Sequence, residues 1–162
     1  MARVYVSIGS NVDRELRIRQ SIEALRARFG ELELSPVYDS AAVGFDGSNF
    51  LNLVAGLETG EGVVEVAAAF REIEERLGRD RNQPKFSSRP IDLDIRLYDE
   101  LVMNVPGVRI PRPEILENAF VLRPLQDIAP GRIHPQAGRS YAELWQAMAP
   151  NAPRLDRVDL PL

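Results

Sequence analysis

The chain has 162 residues, 44% hydrophobic and 27% charged, enough for one compact fold with a real core. A net charge of −4 and an isoelectric point near 5.1 argue against wholesale nucleic-acid binding. The absence of cysteine excludes disulfides and thiolate chemistry, and the single histidine, His134, excludes a multi-histidine metal site.

In chain order, residues 3–8 (RVYVSI) alternate apolar and polar positions and predict a first strand, followed by a turn at GSN. Ile18, Ile22, Leu25 and Phe29 recur at helical spacing, which predicts a helix over 13–29 closed by Gly30. Residues 31–43 predict a second strand, interrupted or bent at Pro36, and 44–49 a turn-rich loop. Residues 50–58 read as a third strand, with Leu51, Leu53, Ala55 and Leu57 on one face and Phe50, Asn52 and Val54 on the other. Val63, Val66, Phe70, Ile73 and Leu77 stripe a second helix over 62–77. A loop over 79–89 and a strand over 91–98 follow, then a turn at 99–100, a short apolar segment and a proline-framed loop at 105–113. A short helix within 117–130 and a last one at 140–148, with Ser140 and Glu143 matching a capping box, complete the chain. The order βαββαβ with a helical tail predicts an α+β sandwich, an antiparallel sheet covered by helices. With no run of about 18 apolar residues and no apolar leader at the N-terminus, a soluble cytoplasmic protein is expected, without a membrane partner.

The stretch SSRPIDLDIRLYD (87–99) carries the chemistry. Its alternation sets Ile91, Leu93, Ile95 and Leu97 on one face and Asp92, Asp94, Arg96 and Tyr98 on the other. Two carboxylates about 7 Å apart on one strand face repel each other unless a cation sits nearby. A divalent ion with hard oxygen ligands, Mg²⁺ above all, suits one or two carboxylates plus phosphates and water. The preceding loop holds Arg79, Arg81, Lys85 and Arg89 against Asp80, a local excess of positive charge next to the acids. That combination fits a metal–polyphosphate complex, with guanidinium forks meeting the remaining phosphate charge. Two plainer readings stand beside it: a solvated outer face, or Arg89 and Arg96 neutralising the aspartates as structural ion pairs.

Taken together, YVSIGSN, NFLNLVAGLET, EIEERLGRDR, RPIDLDIRLYD and AFVLRPLQDIAP resemble the 6-hydroxymethyl-7,8-dihydropterin pyrophosphokinase family of folate biosynthesis. The R-x-x-D-L-D signature stands here as Arg89, Asp92 and Asp94. The resemblance implies one domain over residues 1–162, a ferredoxin-like βαββαβ sandwich with a mostly antiparallel sheet and a C-terminal helical extension. It implies a diphosphotransferase that moves pyrophosphate from ATP to the hydroxymethyl group of the pterin and releases AMP. By the same resemblance, Asp92 and Asp94 hold two Mg²⁺ ions, and Arg79 and Arg89 close over the phosphates as the loop orders on substrates. Phe50, Asn52 and Phe120 contact the pterin, while Glu74, Arg81, Ile95 and Arg112 serve the nucleotide. The expected partners are small molecules, dihydropterin and ATP, and the expected assembly is a monomer or weak homodimer. The chain departs from the family pattern at Phe86, Gly107, Arg112 and Asn118, where the family commonly has Trp, Arg, His and Arg. Arg109 and Arg112 are candidates to replace that lost charge. A pterin-binding paralogue with altered or lost ATP use is the alternative.

Overall fold

The computed structural model describes residues 1–42, 47–78 and 90–162. Among these residues, eight strands and four α-helices follow one another as β1 (Ala2–Ser10), α1 (Arg14–Phe29), β2 (Glu33–Leu34), β3 (Val37–Ser40), β4 (Phe50–Thr59), α2 (Val63–Arg76), β5 (Asp92–Tyr98), β6 (Met103–Val105), β7 (Val108–Ile110), α3 (Ala119–Ile128), α4 (Tyr141–Met148) and β8 (Asp156–Val158). The main sheet runs β5-β1-β4-β3-β8, with β2 also on β4, and every pairing is antiparallel. Counting β1, β3, β4 and β5 as the four central strands, their spatial order is fourth-first-third-second. This is the ferredoxin-like arrangement, and it confirms the expected α+β class.

Two cores lie on opposite faces of this sheet. Even-numbered residues of β1 (Val4, Val6, Ile8) and odd-numbered residues of β4 (Leu51, Leu53, Leu57) meet Ile18, Ile22 and Leu25 of α1 and Val66, Phe70 and Ile73 of α2. The opposite face presents Tyr5 and Val54, covered by Val121, Leu122 and Leu125 of α3 and Tyr141 of α4. The capping box expected for α4 is present in both directions, with the Glu143 N–H donating to Ser140 Oγ and the Ser140 N–H to Glu143 Oε1.

Four local expectations are corrected or sharpened. Of the two forms expected for residues 31–43, the strand is interrupted rather than bent: β2 and β3 are separated at Ser35–Pro36. Four residues advance from Leu34 to Tyr38 while their partners on β4 advance three, from Ala55 to Asn52. Ser35 Oγ accepts the Val54 N–H at 2.9 Å, so the interruption leaves that donor satisfied. The short apolar segment and the proline-framed loop after it together form the hairpin β6–β7, turned at Pro106-Gly107 with Gly107 at φ 83°, the left-handed geometry that glycine tolerates. The helical tail ends in a strand, β8, paired with β3.

The fourth correction concerns β5. Val6 faces Ile95 but Tyr5 faces Leu97, so Arg96 is an extra residue, a β-bulge. Past the bulge the faces exchange. Leu97 joins the second core and Tyr98 packs on the first, the reverse of strict alternation. Burying a leucine contributes about 1.5–3 kcal/mol, more than the roughly 1 kcal/mol of a lost ladder hydrogen bond, so the bulge is favourable overall.

Candidate active site

The face that carries Tyr5 and Val54 is apolar only along half of its length. Strand register defines what lies beyond. One row across the sheet reads Asp94, Ser7, Val54, and the next reads Asp92, Gly9, Asn52, Tyr38. Asp92 and Asp94 thus lie side by side on this face. Asn52 stands two strands away, about 10 Å across at the usual strand spacing. Gly9, between them, offers no side chain.

Gly9 is a glycine because its neighbours occupy the space. A Cβ there would lie 2.9 Å from Asn52 Oδ1 and 3.7 Å from Phe50 Cδ1. Asn52 is buried and donates from Nδ2 to Ser40 Oγ at 2.7 Å, which fixes the amide plane with its carbonyl over Gly9. Phe50 and Asn52 therefore share a slot floored by bare backbone. Phe120, in the first turn of α3, is partly buried against the second core. Beside it, Asn118 precedes α3 as its N-cap residue and makes no side-chain cap.

Beyond the other side of the aspartates lies a cleft of about 150 Å³. Leu93, Asp94 and Ile95 of the edge strand form one wall, Ala67, Phe70, Arg71 and Glu74 of α2 another, and Gly107 to Ile110 with Arg112 the third. Glu74, whose place near the end of α2 opposes the helix dipole, finds its reason here. It is 3% exposed, and its Oε2 accepts the N–H of Leu93 at 2.8 Å. The carboxylate therefore anchors the outer edge of β5. Strand alternation turns the peptide groups of Ile95 to that same outer edge, toward the cleft. A larger hollow of about 530 Å³ lies at the far edge of the sheet, along β3 and the C-terminal residues, and contains none of the chemically suggestive groups.

Between aspartates and cleft sits a charged cluster. Arg96 is buried and donates from Nε to Ser7 Oγ at 2.6 Å, with Nη2 3.5 Å from Asp94 Oδ2. Its Nη1 lies 3.8 Å from Glu114 Oε1, which also accepts from Arg112 Nη2 at 3.1 Å. The Arg112 N–H donates to the Arg96 carbonyl at 3.2 Å, fastening this segment to the bulge.

Of the anticipated residues, the fold brings Asp92, Asp94, Phe50, Asn52 and Phe120 to one face, and Glu74, Ile95 and Arg112 to the adjoining cleft. Arg79, Arg81 and Arg89, with Phe86 and the rest of loop 79–89, lie outside the described residues. Sequence reasoning missed Gly9, Ser40, Arg96 as a buried group, and Glu114. Gly9 was expected in a turn after a strand ending at Ile8, whereas β1 runs on to Ser10, and a glycine inside a strand marks close approach. Arg109 and Arg112 both line the cleft, as their candidacy requires, and Gly107 is explained by its turn. His134 is 1% exposed and accepts the Gln136 and Ala137 N–H groups at Nδ1, so it staples a turn away from the site.

Paired carboxylates are set between an aromatic–amide slot and a basic cleft on a ferredoxin-like sheet, an arrangement suited to a small-molecule phosphotransferase. Residues 5–130 match the family model described as 7,8-dihydro-6-hydroxymethylpterin-pyrophosphokinase. The 2-amino-4-hydroxy-6-hydroxymethyldihydropteridine pyrophosphokinase of Aquifex aeolicus is 38% identical over 138 residues, 83% of this chain and 85% of its own. That of Pseudomonas aeruginosa is 36% identical over 152 residues, 90% and 91% of the two chains. The chain belongs to the 7,8-dihydro-6-hydroxymethylpterin-pyrophosphokinase family. The solved structure of wild-type Plasmodium falciparum HPPK-DHPS with pteroate aligns with a TM-score of 0.75 at 11% identity. That match covers 93% of this chain but only 43% of the longer one, and it speaks to the fold alone.

Proposed function

We infer that the protein transfers pyrophosphate from ATP to 6-hydroxymethyl-7,8-dihydropterin, releasing AMP, as a step of folate biosynthesis. The observation that carries this reading is the row Asp92–Gly9–Asn52, which sets a carboxylate pair and a fixed amide on either side of a side-chain-free floor. In this reading the pterin lies in the slot, its edge read by Asn52 and its rings against Phe50 and Phe120. The nucleotide occupies the adjoining cleft, its base against the outward peptide groups of Ile95, on an edge that Glu74 holds in place. Arg109 and Arg112 meet the phosphates from the hairpin side, and Arg79, Arg81 and Arg89 from the loop before β5.

Asp92 and Asp94 are hard oxygen donors on one face, the donor type Mg²⁺ takes together with phosphate oxygens and water. Two Mg²⁺ ions bound there with ATP would neutralise charge on the triphosphate. The chain's own contribution is alignment. The pterin hydroxyl oxygen attacks the β-phosphorus in line, the bond to the α-phosphate oxygen breaks, and AMP leaves with that oxygen. Positioning and electrostatic stabilisation suffice without a strong base, as in phosphoryl transfer generally. The same reading gives a cytoplasmic protein, monomeric or weakly dimeric, acting on small molecules rather than on nucleic acid or membrane. Its net charge of −4 accords with that. Titrating the protein with dihydropterin, with and without a non-hydrolysable ATP analogue and Mg²⁺, tests the site. Pterin binding that Asn52→Ala abolishes and the nucleotide strengthens is expected. Binding indifferent to both would refute the reading.

A further inference from the structure

Two members of the buried cluster beside the aspartates, Arg96 and Glu114, have no part in the scheme above. Among the described residues five buried side-chain polar atoms lack a hydrogen-bond partner, and three of them are Arg96 Nη1, Arg112 Nε and Glu114 Oε2. The Arg96 side chain is 7% exposed, and the bulge together with Ser7 aims it at Asp94. A guanidinium already shares the carboxylate oxygen that a metal ion would need.

We propose that Arg96 is a positioning residue that keeps the Asp92–Asp94 pair from holding a divalent cation until a polyphosphate arrives, so that metal and nucleotide enter together. The inference rests on the pyrophosphokinase reading of the site and adds an order of binding set by one residue. Two observations support it independently. First, among the described residues no group of three or more His, Cys, Asp or Glu side chains is arranged to hold a metal. Among the described residues, two carboxylates fall well short of the octahedral set that Mg²⁺ demands, and substrate phosphates and water are the oxygens that commonly complete such a set. Second, Arg96 places a positive charge 3.5 Å from Asp94 Oδ2, where it opposes a bare cation but attracts a triphosphate. At about 6 Å and a water-like dielectric, a unit charge against a divalent ion changes affinity roughly tenfold. Glu114, on the far side of Arg96, tempers that charge and at the same time holds Arg112 toward the cleft.

The two partners of this pair predict opposite outcomes. Mn²⁺ is the probe, titrated into the nucleotide-free full chain and followed by electron paramagnetic resonance. Arg96→Met is expected to bind Mn²⁺ roughly tenfold tighter than the unaltered protein, whereas Arg96→Lys, which keeps the charge, stays close to it. Glu114→Gln, which leaves the guanidinium charge less compensated, is expected to bind about fivefold weaker. A non-hydrolysable ATP analogue should then tighten Mn²⁺ binding more in the unaltered protein than in Arg96→Met. A residue serving only to pack the bulge would lower the melting temperature on substitution without moving the bare-metal constant. An unchanged or weaker Mn²⁺ constant in folded Arg96→Met overturns the proposal. If that variant fails to fold, an unmoved or tighter constant in Glu114→Gln overturns it. Failure of the analogue to promote Mn²⁺ binding in the unaltered protein would overturn the functional reading along with it.

Discussion

Gly9→Ala isolates the slot from the rest of the fold. The backbone at Gly9 is not left-handed, so only space is at issue. The new methyl would stand 2.9 Å from Asn52 Oδ1, closer than real Cβ contacts run, and within ordinary contact of Phe50 Cδ1. The Asn52 side chain must swing away and lose its 2.7 Å bond to Ser40 Oγ. That bond contributes about 1 kcal/mol to stability, a modest loss. Binding suffers more, because a heterocycle edge meeting a displaced amide leaves polar groups unpaired at about 1–3 kcal/mol, roughly 5- to 150-fold in dissociation constant. Isothermal titration with dihydropterin, alongside thermal melts, separates the two effects. Gly131→Ala is the control, since its Cβ would meet nothing within 4 Å. A dihydropterin constant for Gly9→Ala equal to that of the control would refute the claim that Asn52 and Phe50 form the pterin slot.

Asp92→Asn and Asp94→Asn keep shape and remove charge. Each is expected to cut AMP production about a thousandfold with little change in melting temperature, and near-normal turnover in either would contradict the metal role. Glu74→Ala leaves the buried Leu93 N–H without its acceptor, at about 1–3 kcal/mol, so the melting temperature should fall by several degrees; an unchanged melt would show that the edge strand needs no such anchor. Burial, reinforced by the hydrogen bond to Asp127 and its charge, pushes the Tyr38 phenol up to about 12. The folded state therefore favours the neutral phenol. Its contribution is complete below the ordinary tyrosine value near 10 and is lost as pH rises through about 12. Urea unfolding of Tyr38→Phe should show less loss than the unaltered protein across that alkaline window, and identical curves would remove Tyr38 as the cause.

Regular periodicity was legible in the sequence, and breaks in it were not. The stripes of α1 and α2 and the alternation of β4 identified their buried faces because each repeats several times along one element. Strict alternation through 91–98 misplaced Leu97 and Tyr98, because a bulge at Arg96 depends on what the partner strand and α3 require rather than on local pattern. Pro36 signalled an interruption, but the compensating Ser35 hydroxyl is visible only once β4 is alongside. Pro106-Gly107 was a turn signal with too little strand on either side to stand out. β8 is three residues whose pairing comes wholly from β3, 117 or more positions earlier in the chain. At the site, adjacent residues were found early: Asp92 and Asp94 share one strand. The Arg96–Glu114–Arg112 cluster depends on the hairpin folding back onto the sheet edge, and no spacing in the sequence encodes that contact.

The most direct test of the central claim is the identity of the products. Purified protein, ATP, Mg²⁺ and 6-hydroxymethyl-7,8-dihydropterin should yield AMP and the pterin diphosphate in equal amounts by phosphorus NMR. ADP with a monophosphorylated pterin would contradict attack at the β-phosphorus. Intact ATP beside bound pterin would contradict the enzyme itself.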